Sequence, residues 1–246
     1  MNNKISNHKD SKKEKMNFVM STIFNTAMAG FGAISSNPLS AIDSSLSVFS
    51  NIVGFSISNN LKKYVYSLAE DMVRLESEIS DFKIENLRNN DFVATTVLQS
   101  IQIAVRNYQN EKHEALRNAV LNTAINQERA DEKLTYLRYI DELSPLHIKI
   151  LKFLENNSPD LVNIYEKNKN TVTEQYGSQD PLIEYFENQI PESKDSSHIY
   201  IRDLMNRSLL NWERMMLGHD LLNVAINGVS ESGHSFLRFI ESPLRI

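Results

Sequence analysis

The stretch Leu61–Phe82, LKKYVYSLAEDMVRLESEISDF, decides the fold class of this chain. Its apolar residues recur at alternating steps of four and three, which places them on one face of an α-helix. Most of the other positions are charged or polar, so the opposite face is solvated. Such a seam is required for packing in a helical bundle or for a short coiled coil. The seam residues, candidates for an oligomer contact, are Leu61, Val65, Leu68, Met72, Leu75 and Ile79.

Helical spacing continues on the C-terminal side of the seam. The segment from Phe92 to about Ala124 is predicted to form one helix, and RADEKLTYLRYIDEL (residues 129–143) a shorter one. The apolar side of the first of these helices consists of Val93, Val97, Ile101, Ala104 and Tyr108. Together with the seam, these patterns indicate a bundle of long helices.

Three dipeptides that end in proline occur in the next part of the chain: Ser144-Pro145, Ser158-Pro159 and Asp180-Pro181. In each, the side chain before the proline can accept a hydrogen bond from an N–H group of the first helical turn. Proline at the first helical position sacrifices no hydrogen bond, because that N–H would lack a partner in any case. We therefore predict that a helix starts at each of these prolines.

The C-terminal residues predict a helix through Leu210, a short β-capable stretch over LLNVAINGV (residues 221–229) and a closing helix over SGHSFLRFI (residues 232–240). This order is winged-helix-like, with at most a short β-hairpin. The chain is therefore predicted to be all-α, with an N-terminal helical hairpin and a long-helix bundle before the winged-helix-like region. The predicted divisions are a disordered basic arm over residues 1–16, a helical domain over residues 17–140 and a winged-helix-like domain over residues 141–246.

The stretch in front of the seam is almost free of charge. Residues 23–61, IFNTAMAGFGAISSNPLSAIDSSLSVFSNIVGFSISNNL, carry one charged side chain, Asp43. Apolar stripes at helical spacing flank the turn signal Asn37-Pro38, so a helical hairpin is predicted over residues 17–60. Its apolar residues, candidates for membrane contact or assembly, are Phe24, Phe31, Ile34, Leu39, Ile42, Leu46, Phe49 and Val53.

The polar positions of this hairpin hold Ser, Thr, Asn and Gly where an ordinary surface helix carries Lys and Glu. Desolvating small uncharged groups costs far less than desolvating ions, and small residues let helices approach closely. Both faces of the hairpin are therefore suited to burial. Three uses stay open: the centre of the domain, an oligomer contact, or insertion into lipid after a trigger.

A targeting sequence is the competing interpretation of the N-terminus. The lysine-rich start, the apolar residues after it and Ala27-Met28-Ala29 resemble a signal peptide. However, Asp10 and Glu14 reduce the net positive charge of the basic region. No stretch reaches the roughly 18 to 20 consecutive apolar residues of a spanning helix. We therefore expect a cytoplasmic protein that reaches the inner membrane peripherally.

Composition excludes several kinds of chemistry. The chain has 246 residues, a net charge of −5 and no cysteine, which removes disulfides, thiol catalysis and cysteine-based zinc sites. Its six histidines are scattered, without the spacing of a helical metal site. The glycines of AGFGA lack the spacing of a phosphate-binding loop. No catalytic, cofactor-binding or metal-binding residue is predicted, and we expect the protein not to be an enzyme.

Nucleic acid is a weaker expectation than a protein partner. Phosphate contacts require Lys and Arg, yet the helix before Leu210 offers only Arg202 and Arg207, with Asp203 between them. The segment from Asp141 to the C-terminus carries 16 acidic and 10 basic residues. We expect this acidic half to dock a protein partner. The chain is expected to form a homo-oligomer, with membrane lipid as a further candidate partner.

Four segments share an order with a known set of proteins: NYQNEKHEALRNAVLNTA, DELSPLHIKILKFL, IRDLMNRSLL and ESGHSFLRFI. Over roughly residues 60 to 241 the chain resembles bacterial helical proteins of the abortive-infection alpha (Abi-alpha) type, which are found with phage-defence genes. The chain departs from their pattern at Ser208, where a glycine usually follows the arginine, and at Ser230, where a threonine usually opens the final turn. The resemblance implies a bacterial defence protein and carries over no catalytic residues.

These observations predict a non-enzymatic protein of bacterial phage defence. Residues 17–60 would mediate assembly or membrane engagement, and the acidic half would dock a protein. Two alternatives from other classes stay open: a DNA-binding winged-helix regulator, and a structural scaffold that oligomerises through the seam.

Overall fold

The computed structural model describes residues 59–87, 90–168, 181–211 and 228–244. In this part of the chain eight α-helices carry the fold and no β-strand forms, which confirms the predicted helical class. The helices are α1 (Asn59–Glu78), α2 (Asp91–Arg106), α3 (Asn110–Ile125), α4 (Ala130–Glu142), α5 (Pro145–Asn168), α6 (Pro181–Gln189), α7 (Ser197–Asn206) and α8 (Glu231–Ile240). The predicted arm, and all but the last two residues of the predicted hairpin, lie outside the described residues.

The chain divides into two compact units. The first unit comprises Met1–Asp141 and Phe239–Ile246, and the second comprises Glu142–Arg238.

In the first unit, α1 packs against both α2 and α3. The seam faces inward, and five of its residues are almost completely buried within the single chain: Leu61, Val65, Leu68, Met72 and Leu75. Ile79 lies just past the end of α1 and is half-buried. Burying each large aliphatic side chain contributes about 1.5–3 kcal/mol to stability. The seam therefore serves the chain's own core, and its use in an oligomer stays a prediction.

The prediction of one helix from Phe92 to Ala124 is wrong, because the chain breaks between α2 and α3. Asn107 ends α2: its backbone N–H and its side-chain Nδ2 both donate to the carbonyl of Ile103, at 3.1 and 2.9 Å. His113, in the first turn of α3, then donates from Nε2 to the carbonyls of Ala104 and Asn107. A helix end whose carbonyls are bonded in this way needs no continuation. Tyr108, predicted on the apolar side, is 77% exposed at the break.

The second unit is built around α5, which packs against α6 and α7. Helices begin at Pro145 and at Pro181, which confirms two of the three predicted starts. The predicted start at Pro159 is wrong, because α5 runs through this residue. Proline in a helix removes one hydrogen bond to the carbonyl four residues earlier. Pro159 is exposed, and the packing of α5 against α6 and α7 holds the helix together.

The helix predicted through Leu210 ends earlier, at Asn206. Ser208 leaves the helix with a φ of 59°, a left-handed conformation that favours glycine. Leu210 then forms an isolated antiparallel bridge with Val229. The Ser230 hydroxyl donates to the carbonyl of Ser208 at 2.6 Å and accepts the Gly233 N–H at 2.9 Å, so Ser230 caps α8.

Candidate functional site

A polar network centred on His147 holds the start of α5. The Ser144 backbone N–H donates to Nδ1 of His147 at 3.1 Å, and the Ser144 hydroxyl lies 2.8 Å from the same nitrogen. Nδ1 is therefore an acceptor and the ring proton sits on Nε2. That nitrogen lies 3.3 Å from a carboxylate oxygen of Asp203 in α7. Tyr200 packs edge-on against the imidazole, with ring centroids 4.7 Å apart.

Serine, histidine and aspartate in hydrogen-bonded series is the order of a nucleophilic triad. Here, however, the nitrogen that would act as base already accepts the backbone N–H of Ser144. Ser144 also stands directly before Pro145, at the first turn of α5. The His147 backbone N–H in turn donates to the Ser144 hydroxyl at 3.4 Å. This reciprocal bonding is a capping box in which His147 takes the place usually held by Glu or Gln. The network therefore positions α5 against α7.

Arg207 completes the same network. Its Nε lies 3.2 Å from the Asp203 carboxylate, and its Nη1 donates to Glu142. Burial acts to lower the pKa of Arg207, but the hydrogen bonds with Glu142 and Asp203 outweigh it and raise the pKa. Of the two arginines predicted as candidate nucleic-acid contacts, Arg207 is thus engaged with two carboxylates. Arg202 is exposed on α7.

A second polar cluster joins the ends of helices in the first unit. Lys112 of α3 is 5% exposed and donates to the side-chain oxygen of Asn107 at 3.0 Å and to the carbonyl of Asp141 at 2.6 Å. Burial lowers the pKa of Lys112, and the charge of Asp141 acts against this. The Asp141 carboxylate is held by Arg106 at 2.7 Å. A cation is favourable at helix C-termini, so Lys112 clamps the C-terminal ends of α2 and α4.

A groove of about 560 Å³ lies beside this clamp, between α2 and α4. In its lining, Arg106 pairs with Asp141, and Arg138 donates to the hydroxyl of Thr135 at 3.1 Å. The groove therefore presents amides and charged groups beside the apolar side chains of Ile103 and Leu134. Its lining residues are Gln99, Gln102, Ile103, Arg106, Asp131, Leu134, Thr135, Arg138 and Asp141.

Two asparagines of α3 hold the C-terminal end of α8. Asn118 donates to the carbonyl of Ile240 at 2.9 Å, and Asn122 donates to the carbonyls of Phe239 and Glu241 at 3.0 and 2.8 Å. The last carbonyls of a helix lack partners inside it, so these amides act as side-chain caps. The two asparagines stand four residues apart on one helix face, within the NAVLN of a segment that carries the family resemblance. The spacing of four residues between Asn118 and Asn122 is visible in the sequence, but these two residues were not predicted to cap a helix.

The predicted site residues fall into three groups. The hairpin residues from Phe24 to Val53 lie outside the described residues. The seam residues lie together on the inner side of α1. Arg202 is exposed on α7, and Arg207, just past the end of α7, is engaged with Asp203.

Within the described residues, no group of three or more His, Asp or Glu side chains is arranged to hold a metal ion. None of the helices described is both long enough and apolar enough to cross a membrane.

No protein-family model matches the chain, and no curated protein or solved structure matches it either. The resemblance to Abi-alpha proteins thus stays a prediction from the sequence.

Proposed function

We propose that this chain is a non-enzymatic, abortive-infection-type protein of bacterial phage defence that acts through membrane engagement and assembly of residues 17–60. One observation carries the proposal. A stretch with a single charged residue, Asp43, runs directly into α1. The inner side of α1 is buried in the core of the first unit.

The uncharged stretch and α1 differ in which of their faces can be buried. A segment whose polar positions are Ser, Thr, Asn and Gly enters a low-dielectric setting at modest cost, whereas a Lys- or Glu-bearing face does not. α1 keeps its charges outward and its seam inward, so it stays with the folded unit. The uncharged stretch is therefore suited to leave water, and α1 is suited to tether it.

Dye release from anionic vesicles tests this proposal. Wild-type protein is compared with a Phe49→Asp, Val53→Asp variant, which places two charges on an apolar stripe of the hairpin. The matched control is Ser47→Asn, Asn51→Ser, which changes polar positions of the same segment without adding charge. We expect release by wild type and by the control, and none by the stripe variant.

Circular dichroism first establishes that all three proteins keep the same helix content and melting temperature. If none of the folded proteins releases dye, or if both variants lose release equally, membrane engagement by the hairpin is rejected. If the stripe variant unfolds, the stripe belongs to the core and the proposal fails in the same way.

The second unit supplies the docking module of this proposal, with a winged-helix-like arrangement. Three features support that arrangement: α7, the Leu210–Val229 bridge that follows it, and α8. The acidic surplus of this half favours a protein partner over nucleic acid. Arg207 is engaged by Glu142 and Asp203, which weakens the DNA-binding alternative. Salt-sensitive retention of the full chain on duplex DNA would reverse that preference.

A further inference from the structure

The groove between α2 and α4 is lined by two opposite charges that do not pair with each other. Asp131 lies in the first turn of α4 and Arg138 two turns farther along. Neither side chain forms an ion pair with any residue that the structure describes. Arg138 donates to the hydroxyl of Thr135 at 3.1 Å. A guanidinium has five N–H donors, so most of those of Arg138 are left for a ligand.

The other two charges of the groove neutralise each other. Arg106, in the last turn of α2, contacts Asp141, in the last turn of α4, at 2.7 Å. This ion pair brings the C-terminal ends of the two helices together. Arg138 therefore lies toward the end of the groove that the ion pair occupies, and Asp131 lies toward the opposite end.

The spacing of Asp131 and Arg138 leaves room for a small molecule. Seven residues along α4 place the two on one face, about 10 Å apart along the helix axis. Charges three or four residues apart are neighbours on a helix, whereas these two are separated by two turns. The groove has a volume of about 560 Å³, within the range of small-molecule sites, about 300–1,000 Å³.

Amides and apolar groups make up much of the remaining lining. Gln99 and Gln102 of α2 line the groove, and their side-chain amides form no hydrogen bond with the residues that the structure describes. A carboxamide both donates and accepts hydrogen bonds, as a peptide group does. Ile103 and Leu134 supply apolar surface beside these amides. The lining is therefore complementary to a peptide backbone with small side chains.

We propose that this groove binds a free peptide of two or three residues, with the peptide ammonium at Asp131 and the peptide carboxylate at Arg138. An extended peptide spans at most about 3.3–3.6 Å per residue, so two or three residues cover about 7–10 Å. That length matches the separation of the two charges. A simple anion would leave Asp131 without a partner. The site lies within the first unit and does not depend on the proposed membrane engagement.

Titration of the full-length, isotope-labelled protein with trialanine, followed by NMR, tests the site. The side-chain amide signals of Gln99 and Gln102 report on the groove itself, and we expect trialanine to shift them. N-acetyl-trialanine lacks the ammonium, and trialanine amide lacks the carboxylate. Each should bind about tenfold more weakly, because a hydrogen bond to a charged group is worth about that factor or more.

Each charge is then removed from the protein. Asp131→Asn should weaken the binding of trialanine about tenfold and leave that of N-acetyl-trialanine unchanged, because that peptide has no ammonium to lose. Arg138→Gln should weaken the binding of trialanine similarly and leave that of trialanine amide unchanged. The matched controls, Glu114→Gln and Arg74→Gln, remove exposed charges of the same unit outside the groove. They should bind all three peptides as wild type does.

The results distinguish a peptide site from simpler ones. No shift of the two glutamine signals with trialanine overturns the proposal, and so does equal binding of the three peptides. Acetate that binds as tightly as trialanine would show an anion site at Arg138 alone and would overturn it as well. Thermal melts establish that the variants fold. If one does not, the comparison of the three peptides on wild type still decides the proposal.

Discussion

The two units hold their helices together by different means. In the first unit, α1 meets α2 and α3 through a continuous apolar seam, with an ion pair between Asp71 and Arg117 at its side. Polar residues such as Lys112 and Asn118 bond the helix ends. In the second unit, polar pairs join α5 to its surroundings in addition to an apolar core: His147 to Asp203, Lys149 to Glu192, and Glu155 to His234. Exposed ion pairs contribute little to stability, and buried aliphatic groups contribute much. The stability of the first unit should therefore be more sensitive to changes in its apolar core than that of the second unit.

The largest loss of stability is expected from truncating a side chain of the seam. Leu75 is fully buried, so Leu75→Ala removes transfer energy and leaves a cavity, at a cost of about 2–5 kcal/mol. Glu70→Ala, on the exposed face of the same helix, should stay within about 0.5 kcal/mol. Urea unfolding followed by circular dichroism measures both. A loss below about 1 kcal/mol for Leu75→Ala would show that the seam is not the core of the first unit.

The next largest loss of stability is expected from adding a side chain at Gly233, where two backbone segments of the second unit lie close together. A Cβ atom on Gly233 would lie 2.1 Å from the carbonyl oxygen of Leu209 and 2.5 Å from the side chain of Val229. Backbone cannot move as a side-chain tip can, so Gly233→Ala should cost about 1–3 kcal/mol through overpacking. Ser235→Ala on the same helix is the control. If Gly233→Ala melts with wild type, α8 does not approach Leu209 as described.

Local patterns predicted those parts of the fold that local interactions determine. The seam of α1 and the starts at Pro145 and Pro181 follow from residue spacing and capping chemistry. The break at Asn107 does not, because it depends on bonds from His113 and Lys112 to carbonyls at helix ends, which residue spacing does not reveal. Pro159 likewise lies inside α5, whose packing against α6 and α7 overrides the local preference for a helix start.

The candidate site was less predictable than the fold. The sequence marks Ser208 and Ser230 as departures from the Abi-alpha pattern, but only the structure shows that they bond to each other. For the two arginines, the residue type alone gave no basis for distinguishing them. The structure shows that Arg207, just past the end of α7, pairs with Glu142 and Asp203.

The capping box of α5 should contribute a smaller amount than either core change. Ser144→Ala removes the capping hydroxyl and should cost about 0.5–2 kcal/mol. His147→Gln should be milder than His147→Ala, because Gln can still accept the Ser144 N–H in a capping box. Thermal melts of the three variants give the order. If His147→Gln is as damaging as His147→Ala, the contact with Asp203 matters more than the cap.

The smallest effect near neutral pH is expected at Tyr64, deep in the first unit. Its hydroxyl is buried without a hydrogen bond of normal geometry. Burial raises its pKa well above the ordinary value of 10.0, while Ser100 and the charge of Arg117 act against this. Tyr64→Phe removes a buried polar group that gains little from its surroundings, so stability near pH 7 should change by less than about 1 kcal/mol.

At alkaline pH the same residue should matter more. Because the folded-state pKa of Tyr64 is raised, its contribution is complete below pH 10.0 and is lost as pH rises above that value, where the unfolded phenol ionises. Wild type should therefore lose stability above pH 10.0 faster than Tyr64→Phe. Urea midpoints of the two proteins, compared at neutral and alkaline pH, measure the difference. Parallel curves would mean that the Tyr64 phenol ionises as readily in the folded chain as in the unfolded one.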